Sequence, residues 1–179
     1  FVDLNGQMII APRFQEARDF SAGRARIRTE QGYGYIDRKG GVVIKPQFLA
    51  ASQFTDGYAI VKPRGSETYG LIDSLGQEVI PPQFEQLKPF QAGLARAKQD
   101  GIYGYIDLTG AWIIPPSFDR AGDFREGVAP ACKDTLWGLI DLRGAWILPP
   151  TYDRITKGGP DRWRVEQKGR FGFLDNTGQ

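Results

Sequence analysis

One short phrase, Gly-(Tyr/Leu/Phe)-(Ile/Leu)-Asp-x-x-Gly, recurs almost end to end, and its spacing constrains the fold more than any other feature of the chain. It begins at Gly34, Gly70, Gly104, Gly138 and Gly172, and the chain opens on the matching Phe1-Val2-Asp3. The aspartates of the phrase are 34, 36, 34, 34 and 34 residues apart. A fixed interval in this range indicates one supersecondary unit copied in tandem, with each copy packed against its neighbours. We therefore predict a single array over 1–179, with copies at 1–34, 35–70, 71–104, 105–138 and 139–172 and a partial copy at 173–179.

The interval also suits helical tetratricopeptide arrays, but the composition of each copy argues against helices. Each copy has glycines about every ten residues and prolines near its middle, which would break both helices of such a unit. The runs around the repeated phrase are instead short, aromatic and aliphatic, as in Trp137–Asp141, which is typical of strands. The chain is therefore predicted to be all-β.

Three strands are expected in each copy. The strand ending in the repeated Asp is followed by an Asp-x-x-Gly turn, in which Asp caps backbone amides and Gly adopts a left-handed conformation. A second apolar run follows, such as Trp146–Leu148, and we expect Pro149-Pro150 to stop it. A third run, such as Arg24–Arg28, alternates small or apolar with charged residues, as a half-exposed strand does. The prediction is a three-stranded meander.

A connection with the pattern Phe-x-x-Ala-x-x-Phe-x-x-Gly joins these strands, as in Phe14, Ala17, Phe20 and Gly23. Apolar residues three apart after a proline indicate one short helical turn, of the 3₁₀ type, that places two aromatics in the core.

Together these motifs resemble the WG-repeat family of bacterial proteins. The aromatic-Gly pair that names the family reads Tyr33-Gly34, Tyr69-Gly70, Tyr103-Gly104, Trp137-Gly138 and Phe171-Gly172 here. The resemblance covers essentially the whole chain and implies a bacterial source and a β-rich repeat array. It implies no catalytic residues and no cofactor. The cytoplasm and the cell envelope both stay open as compartments.

Two arrangements of the copies are open. We favour an open superhelical, solenoid-like stack, with a closed β-propeller as the alternative. Because the chain starts and stops within a copy, we interpret it as a fragment of a longer protein. Uncapped ends of an open stack are apolar, so end-to-end self-association is expected at high concentration.

Composition excludes several functions. The 23 basic and 21 acidic residues are scattered, giving a net charge of +2, so no basic stripe for nucleic acid or an anionic membrane is visible. No apolar run reaches the length of a membrane span. The chain has no histidine and a single cysteine, so catalytic triads and transition-metal clusters are not expected. We predict a non-enzymatic module without cofactor or metal. Cys132 falls in an outward-looking column, so its thiol is expected to be accessible.

Differences between copies indicate where a partner could bind. The column two residues after the turn glycine contains Glu78, Trp112 and Trp146, so these tryptophans are expected near the surface. The alternative is that both pack against the preceding connection while Glu78 turns outward. Exposed neighbouring tryptophans are typical of protein interfaces and also stack against sugar rings. Trp163 replaces a small strand residue, and it either fills the volume of a missing Phe or faces a partner.

Two functions fit this pattern. The first is binding or scaffolding of another protein, with Arg120 and Arg154 available beside the tryptophans at the centre of an interface. The second is glycan binding, in which Trp112 and Trp146 stack on sugar rings and Asp119 or Asp153 hydrogen-bonds the hydroxyls. The candidate binding residues are Trp112, Trp146, Trp163, Arg120 and Arg154.

Overall fold

The computed structural model describes residues 1–2, 4–159 and 161–179, and every regular element within these ranges is a β-strand. No helix long and apolar enough to cross a membrane occurs there. The strands are β1 (Glu16–Ala17), β2 (Ala25–Thr29), β3 (Gly32–Ile36), β4 (Val42–Ala51), β5 (Tyr58–Pro63), β6 (Tyr69–Asp73), β7 (Glu78–Phe84), β8 (Gln86–Leu87), β9 (Ala95–Gln99), β10 (Ile102–Ile106), β11 (Trp112–Phe118), β12 (Arg120–Ala121), β13 (Val128–Lys133), β14 (Leu136–Asp141), β15 (Trp146–Tyr152), β16 (Arg154–Gly159), β17 (Arg162–Gln167) and β18 (Arg170–Leu174).

The predicted meanders are confirmed. Neighbouring strands in the sequence pair antiparallel in the order β1 to β7, β8 to β11, β12 to β15 and β16 to β18. The connection contributes a short strand such as β8 or β12, so two sheets are four-stranded where three strands were predicted. The end of β4 serves the second meander in this way and joins the first two meanders into one seven-stranded sheet, whereas the last sheet, β16 to β18, has three strands. Each strand order is linear, so over the described residues no sheet closes into a barrel, and the predicted open arrangement is not contradicted.

The Asp-x-x-Gly turns form as predicted. The Oδ1 atom of Asp37 accepts hydrogen bonds from the backbone amides of Lys39 (2.9 Å) and Gly41 (2.8 Å). Gly40 has φ of 82°, the left-handed conformation that favours glycine. The same turn recurs at Asp73, Asp107, Asp141 and Asp175. Asp3 lies outside the described residues.

The sequence predicted that the prolines end the second apolar run, and this prediction is wrong. Strand β15 continues through Pro149 and Pro150 to Tyr152, and β7 and β11 do the same. Each of these strands carries extra residues in a bulge, because Trp137 pairs with Tyr152 whereas Leu139 pairs with Leu148. A bulged segment leaves backbone groups out of the ladder, so proline's missing N–H costs nothing there.

The connection is not helical. Its first part is the short strand just described, and its second part is a two-residue hairpin turn. Ala22 (φ 49°) and Gly23 (φ 76°) are both left-handed, and Ser21 and Arg24 exchange backbone hydrogen bonds of 2.8 and 3.0 Å. These are the features of a type I′ turn. The three-residue spacing of apolar residues therefore reflects a strand followed by a tight turn, and the prediction of a helical turn is wrong.

The chain divides into two compact units, Phe1–Phe84 and Glu85–Gln179. In unit 1 one core cluster includes Tyr35, Ile44, Phe48 and Phe54. In unit 2 one cluster includes Tyr105, Phe118, Phe124 and Ile140, and another includes Leu139, Ile155, Trp163 and Val165. Tyrosine and phenylalanine rings meet at angled geometry in these cores, with centroids 4.7 Å apart for Tyr35 and Phe54.

Candidate functional site

Side chains from adjacent strands line up in rows next to the polar hairpin tips, and we call these the tip rows. Residues directly opposite each other on antiparallel strands have side chains on the same face of the sheet. The rows are row 1 (Glu16, Arg28, Tyr33, Phe48), row 2 (Ala50, Lys62, Tyr69, Phe84), row 3 (Gln86, Lys98, Tyr103, Phe118), row 4 (Arg120, Cys132, Trp137, Tyr152) and row 5 (Arg154, Glu166, Phe171). In row 2, Lys62 and Tyr69 are the residues next to the last backbone pair, Val61 and Gly70, and the Lys62 ammonium contacts the ring.

Row 1 shows the arrangement most fully. The guanidinium carbon atoms of Arg26 and Arg28 lie 5.0 and 5.4 Å from the centre of the Tyr33 ring. Arg28 also donates to Glu16 at 2.9 Å, and this hydrogen bond raises the pKa of Arg28 above its usual value. Cations are attracted to the negative face of an aromatic ring. One cation in this row is therefore held between a carboxylate and a ring.

Rows 2, 3 and 5 repeat the stacked cation. In row 2 the ammonium of Lys62 lies 5.6 Å from the Tyr69 ring centre. In row 3 the ammonium of Lys98 lies 5.6 Å from the Tyr103 ring centre. Beside row 5, the guanidinium of Arg164, two residues before Glu166, lies 4.7 Å from the Phe171 ring centre. The aromatic residue that precedes the repeated glycine is thus half-buried or exposed in each row and carries a basic side chain in these three as well as in row 1.

Row 4 is different. Cys132 stands where rows 1 to 3 have Arg or Lys, and Pro130 stands where Arg26 and Arg96 stack on their rings. Of the described residues, none places a cation over the Trp137 ring within the distances seen in the other rows. Cys132 is 3% exposed, so the prediction of an accessible thiol is wrong. Burial, followed by the charge of Asp119, raises the pKa of this thiol, which disfavours the thiolate form.

Unit 1 carries a shallow cavity beside row 1. Its volume is about 350 Å³, and its lining includes Arg28, Tyr33, Leu49 and Arg64. Arg64 belongs to the lengthened hairpin tip of the second copy, and it donates to the backbone carbonyl of Glu30 at 3.0 Å. Leu49 is 55% exposed. The two-residue insertion thus supplies one wall of a concave surface with aromatic, apolar and guanidinium groups.

The predicted binding residues separate into three groups. Arg120 and Arg154 are exposed and begin rows 4 and 5. Trp112 and Trp146 are half-buried and begin β11 and β15, at the opposite strand end from the rows. Trp163 is 5% exposed and lies in the core with Leu139 and Ile155. Its inclusion among surface candidates is therefore corrected, because its indole fills core volume and donates to Asn176 at 2.9 Å.

The two half-buried tryptophans cover glycines of the neighbouring strand. A Cβ atom on Gly104 would lie 2.8 Å from the Trp112 ring, and one on Gly138 would lie 2.7 Å from the Trp146 ring. Trp146 also meets the Phe118 ring edge to face, with centroids 5.7 Å apart. Packing on the preceding core, which was the alternative to exposure, thus accounts for much of the Trp146 surface. Glu78, in the same column, is exposed.

The sequence contained a signal for the tip rows. A basic residue stands five residues before the ring in Arg28–Tyr33 and Lys98–Tyr103, and seven before it in Lys62–Tyr69. Comparing the copies shows the charged column and its interruption at Cys132. The sequence alone does not give the pairing register of the strands, and this register is what places the basic side chain over the ring.

Comparison with protein families identifies tandem matches along the chain. The model described as "WG containing repeat" matches residues 1–31, 33–65, 69–101, 103–135 and 137–157. These five matches cover most of the chain and repeat with the same period as the rows. No curated protein sequence matches the chain.

Solved structures resemble the chain only in fold. Hsv2 from Kluyveromyces lactis superposes with a TM-score of 0.55 at 10% identity, covering 86% of this chain and 57% of its own. The extracellular domain of the putative one component system BT4673 from B. thetaiotaomicron gives a TM-score of 0.52 at 10% identity, covering 91% of this chain and 27% of its own. The chain thus spans little more than half the length of Hsv2. These structural neighbours are β-propeller-like, and at this identity the likeness shows an all-β fold of antiparallel sheets.

Proposed function

We propose that this chain, which belongs to the WG containing repeat family, is a non-catalytic module that binds another protein through its tip rows. One observation carries this proposal: four of the five rows stack a basic side chain on a half-buried or exposed aromatic ring. Tyr, Trp and Arg are the residues enriched where protein interfaces gain most of their binding energy.

The stacked cations favour binding for a physical reason. An arginine that lies on a ring and is held by a carboxylate, as Arg28 is by Tyr33 and Glu16, has already lost much of its side-chain freedom. Less conformational entropy is then lost when a partner contacts it. A guanidinium also presents several N–H donors in a fixed geometry that suits carbonyl or carboxylate oxygens of a partner. The row is therefore preorganised for contact with a partner.

The cavity beside row 1 supports the same proposal. Its lining combines exposed Leu49 with the arginines Arg28 and Arg64. This arrangement suits a partner segment with an apolar side chain flanked by carboxylates. The absence of catalysis is supported by the chain's composition, which includes no histidine, and by the burial of its one thiol, Cys132.

The test uses affinity capture with charge reversal. The immobilised chain is compared with Arg28→Glu and Lys98→Glu, two changes in exposed or half-buried row residues. The matched control is Leu75→Glu, because Leu75 is 65% exposed on an aspartate turn away from the rows. Urea unfolding verifies that each variant is folded. Any captured protein is purified, and its affinity for each variant is measured. The proposal is supported if the wild type and the control bind that protein and the row variants bind it at least about tenfold more weakly.

Glycan binding is the second candidate, and the partial exposure of Trp112 and Trp146 supports it. In that case oligosaccharides rather than a protein are retained, and Trp146→Ala weakens retention while Arg28→Glu does not. A partner protein that binds the row variants as tightly as the wild type contradicts the tip rows as its site.

A further inference from the structure

Three tip rows hold one of their own cations between a carboxylate and an aromatic ring. In row 1, Arg28 lies 2.9 Å from Glu16 and 5.4 Å from the Tyr33 ring centre. The same arrangement recurs in row 3 with Lys98 (Glu85 at 3.4 Å, Tyr103 ring at 5.6 Å) and in row 2 with Lys62 (Glu67 at 2.9 Å, Tyr69 ring at 5.6 Å). The chain thus contains its own examples of a cation held by an acid and a ring, with the acid supplied by β1, by the hairpin tip between β5 and β6, or by the residue before β8.

Row 4 keeps the acid and the ring but replaces the cation. Asp119 precedes β12 as Glu85 precedes β8, and Trp137 stands in the position of Tyr103. The residue opposite Trp137 is Cys132, which cannot supply a positive charge. One oxygen of Asp119 accepts a hydrogen bond of 2.8 Å from the tip amide of Asp134, and within the described ranges this carboxylate has no ion pair.

We propose that Trp137 and Asp119 bind an arginine side chain supplied by a partner protein. The guanidinium lies over the indole and pairs with the carboxylate, which reproduces between two molecules the contact that rows 1 to 3 make within one. Tryptophan is the aromatic residue that attracts cations most strongly, and row 4 is the row in which it occurs. Arginine is favoured over lysine because its planar group stacks on the ring and is weakly hydrated. The inference rests on the proposed protein-binding function and names the chemistry of one partner contact.

The charged groups near Trp137 favour binding of a cation, except for one arginine that opposes it. The carboxylates of Asp119 and Asp134 both act electrostatically on Cys132, the residue beside Trp137, and so does the guanidinium of Arg120. Arg120 is exposed and is paired with Cys132 across the strands, one strand further from the ring. It is not stacked on Trp137, so it acts as a nearby like charge that weakens binding. Its removal is therefore expected to strengthen the contact.

The experiment follows the indole N–H signals of the ¹⁵N-labelled chain by NMR while arginine amide is added. The chain has four tryptophans, and Trp137→Phe assigns the signal of interest. A single stacked and paired guanidinium is expected to bind with Kd of about 10 to 100 mM. The Trp137 signal should shift and saturate, whereas sodium chloride at equal ionic strength should leave it unchanged. The buried Trp163 signal provides the internal reference.

Variants of row 4 separate binding from unspecific effects. Asp119→Asn should raise the Kd about two- to fivefold, and Arg120→Ala should lower it by a similar factor. Cys132→Lys restores the cation found in rows 2 and 3 and should abolish binding, because the chain's own ammonium then occupies the ring. Cys132→Ala, the matched control, removes the thiol without adding charge and should leave binding intact.

The inference is overturned by the absence of a saturable shift of the Trp137 signal, by equal shifts of all four indole signals, or by binding that survives Cys132→Lys. A Trp137 shift caused by raising the concentration of the chain alone would assign the arginine to a second copy and also overturn it. The protein-binding proposal is tested by different residues, Arg28 and Lys98. If capture of a partner depends on those two residues but no arginine binds at Trp137, the result rejects this inference and leaves the protein-binding proposal in place.

Discussion

The hydroxyl of Tyr35 donates a hydrogen bond of 2.7 Å to the backbone carbonyl of Ser52, which links β3 to the chain just after β4. The hydroxyl of Tyr105 donates in the same way to Gly122, at 2.6 Å. Both tyrosines are fully buried, at 0% and 1% exposure. The interval between the two tyrosines is two copies, so this contact recurs in alternate copies.

The cross-strand partners of these tyrosines follow the same alternation. Arg26 pairs with Tyr35 and donates to the Ala51 carbonyl at 2.6 Å, and Arg96 pairs with Tyr105 and donates to the Ala121 carbonyl. In the intervening copies the corresponding pairs are Ile60–Leu71 and Pro130–Leu139. These cross-strand pairs therefore alternate between polar and apolar residues from one copy to the next. A comparison that assumes a single 34-residue unit does not detect this alternation.

Replacing Tyr105 with Phe should destabilise the chain by about 1 kcal/mol, because the Gly122 carbonyl loses its donor in a buried setting. Tyr103→Phe is the matched control, since the Tyr103 hydroxyl bonds to Gln86 at 3.1 Å on the exposed side of the sheet. Urea unfolding at neutral pH measures both variants. Equal losses for the two would show that burial of the Tyr105 contact does not matter.

Alkaline pH should weaken the fold through the same two tyrosines. Burial raises the pKa of Tyr35 and Tyr105, and the nearby charges of Arg26 and Arg96 oppose that rise only in part. A tyrosine whose pKa is raised in the folded state contributes to the free energy of unfolding. This contribution is complete below the pKa of an exposed tyrosine, about 10, and is lost as pH rises from there through the folded-state pKa. The free energy of unfolding, measured from pH 8 upward, should fall less steeply above about 10 for the Tyr35→Phe/Tyr105→Phe double variant than for the wild type.

The glycine of the aromatic-Gly pair should be irreplaceable wherever a bulged strand crosses it. A Cβ on Gly70 would lie 2.5 Å from the Ile80 carbonyl oxygen and 2.9 Å from the Pro82 nitrogen. Backbone atoms cannot yield as a flexible side chain can, so Gly70→Ala should cost about 1 to 3 kcal/mol in urea unfolding.

Gly172 provides the matched control for that change. It occupies the same position on β18, where a Cβ would approach nothing closer than Val165 at 3.6 Å, an ordinary contact. Gly172→Ala should therefore change the free energy of unfolding by no more than about 0.5 kcal/mol. Similar costs at both sites would contradict the bulge as the reason for the glycine.

The sequence predicted these elements unevenly, and the reasons are physical. The Asp37 turn depends on local hydrogen bonds and a left-handed glycine, which the residues themselves specify, so it was predicted correctly. The continuation of β15 through Pro149 and Pro150 depends on a bulge against β14, a non-local pairing that no local pattern reveals.

The candidate site shows the same limit. The burial of Cys132 depends on which neighbouring strand covers it, so its predicted accessibility was wrong. For Trp163 the two alternatives stayed open in the sequence, and the structure shows the buried, volume-filling one. Arg120 and Arg154 are exposed as expected. The stacking of Arg28 on Tyr33 required the pairing register, which fixes which residue faces which.

Acid should weaken the turn that begins at Asp107. A hydrogen bond from the Thr109 hydroxyl, at 2.6 Å, together with backbone amides, lowers the pKa of Asp107. An aspartate whose pKa is lowered in the folded state contributes to the free energy of unfolding. This contribution is present above the pKa of a free aspartate and is lost as pH falls through the folded-state pKa. Asp107→Asn should therefore be less stable than the wild type at pH 7, and the difference should shrink as pH falls below about 4. Urea unfolding between pH 2 and 7 measures it, and a pH-independent difference would contradict the argument.

Self-association through strand β18 is the remaining expectation. Over the described residues β18 pairs only with β17, and its Phe173 is 57% exposed. Tyr35 and Tyr105, at the same position of their copies, are buried in core clusters. An unpaired edge that carries an exposed aromatic residue is a template for pairing with a second chain. Light scattering should show a mass that rises with protein concentration, and Phe173→Lys should suppress the rise by adding charge at the edge. Leu75→Lys, on a turn, is the control and should not suppress it. A constant monomer mass for the wild type at high concentration would reject this mode of association.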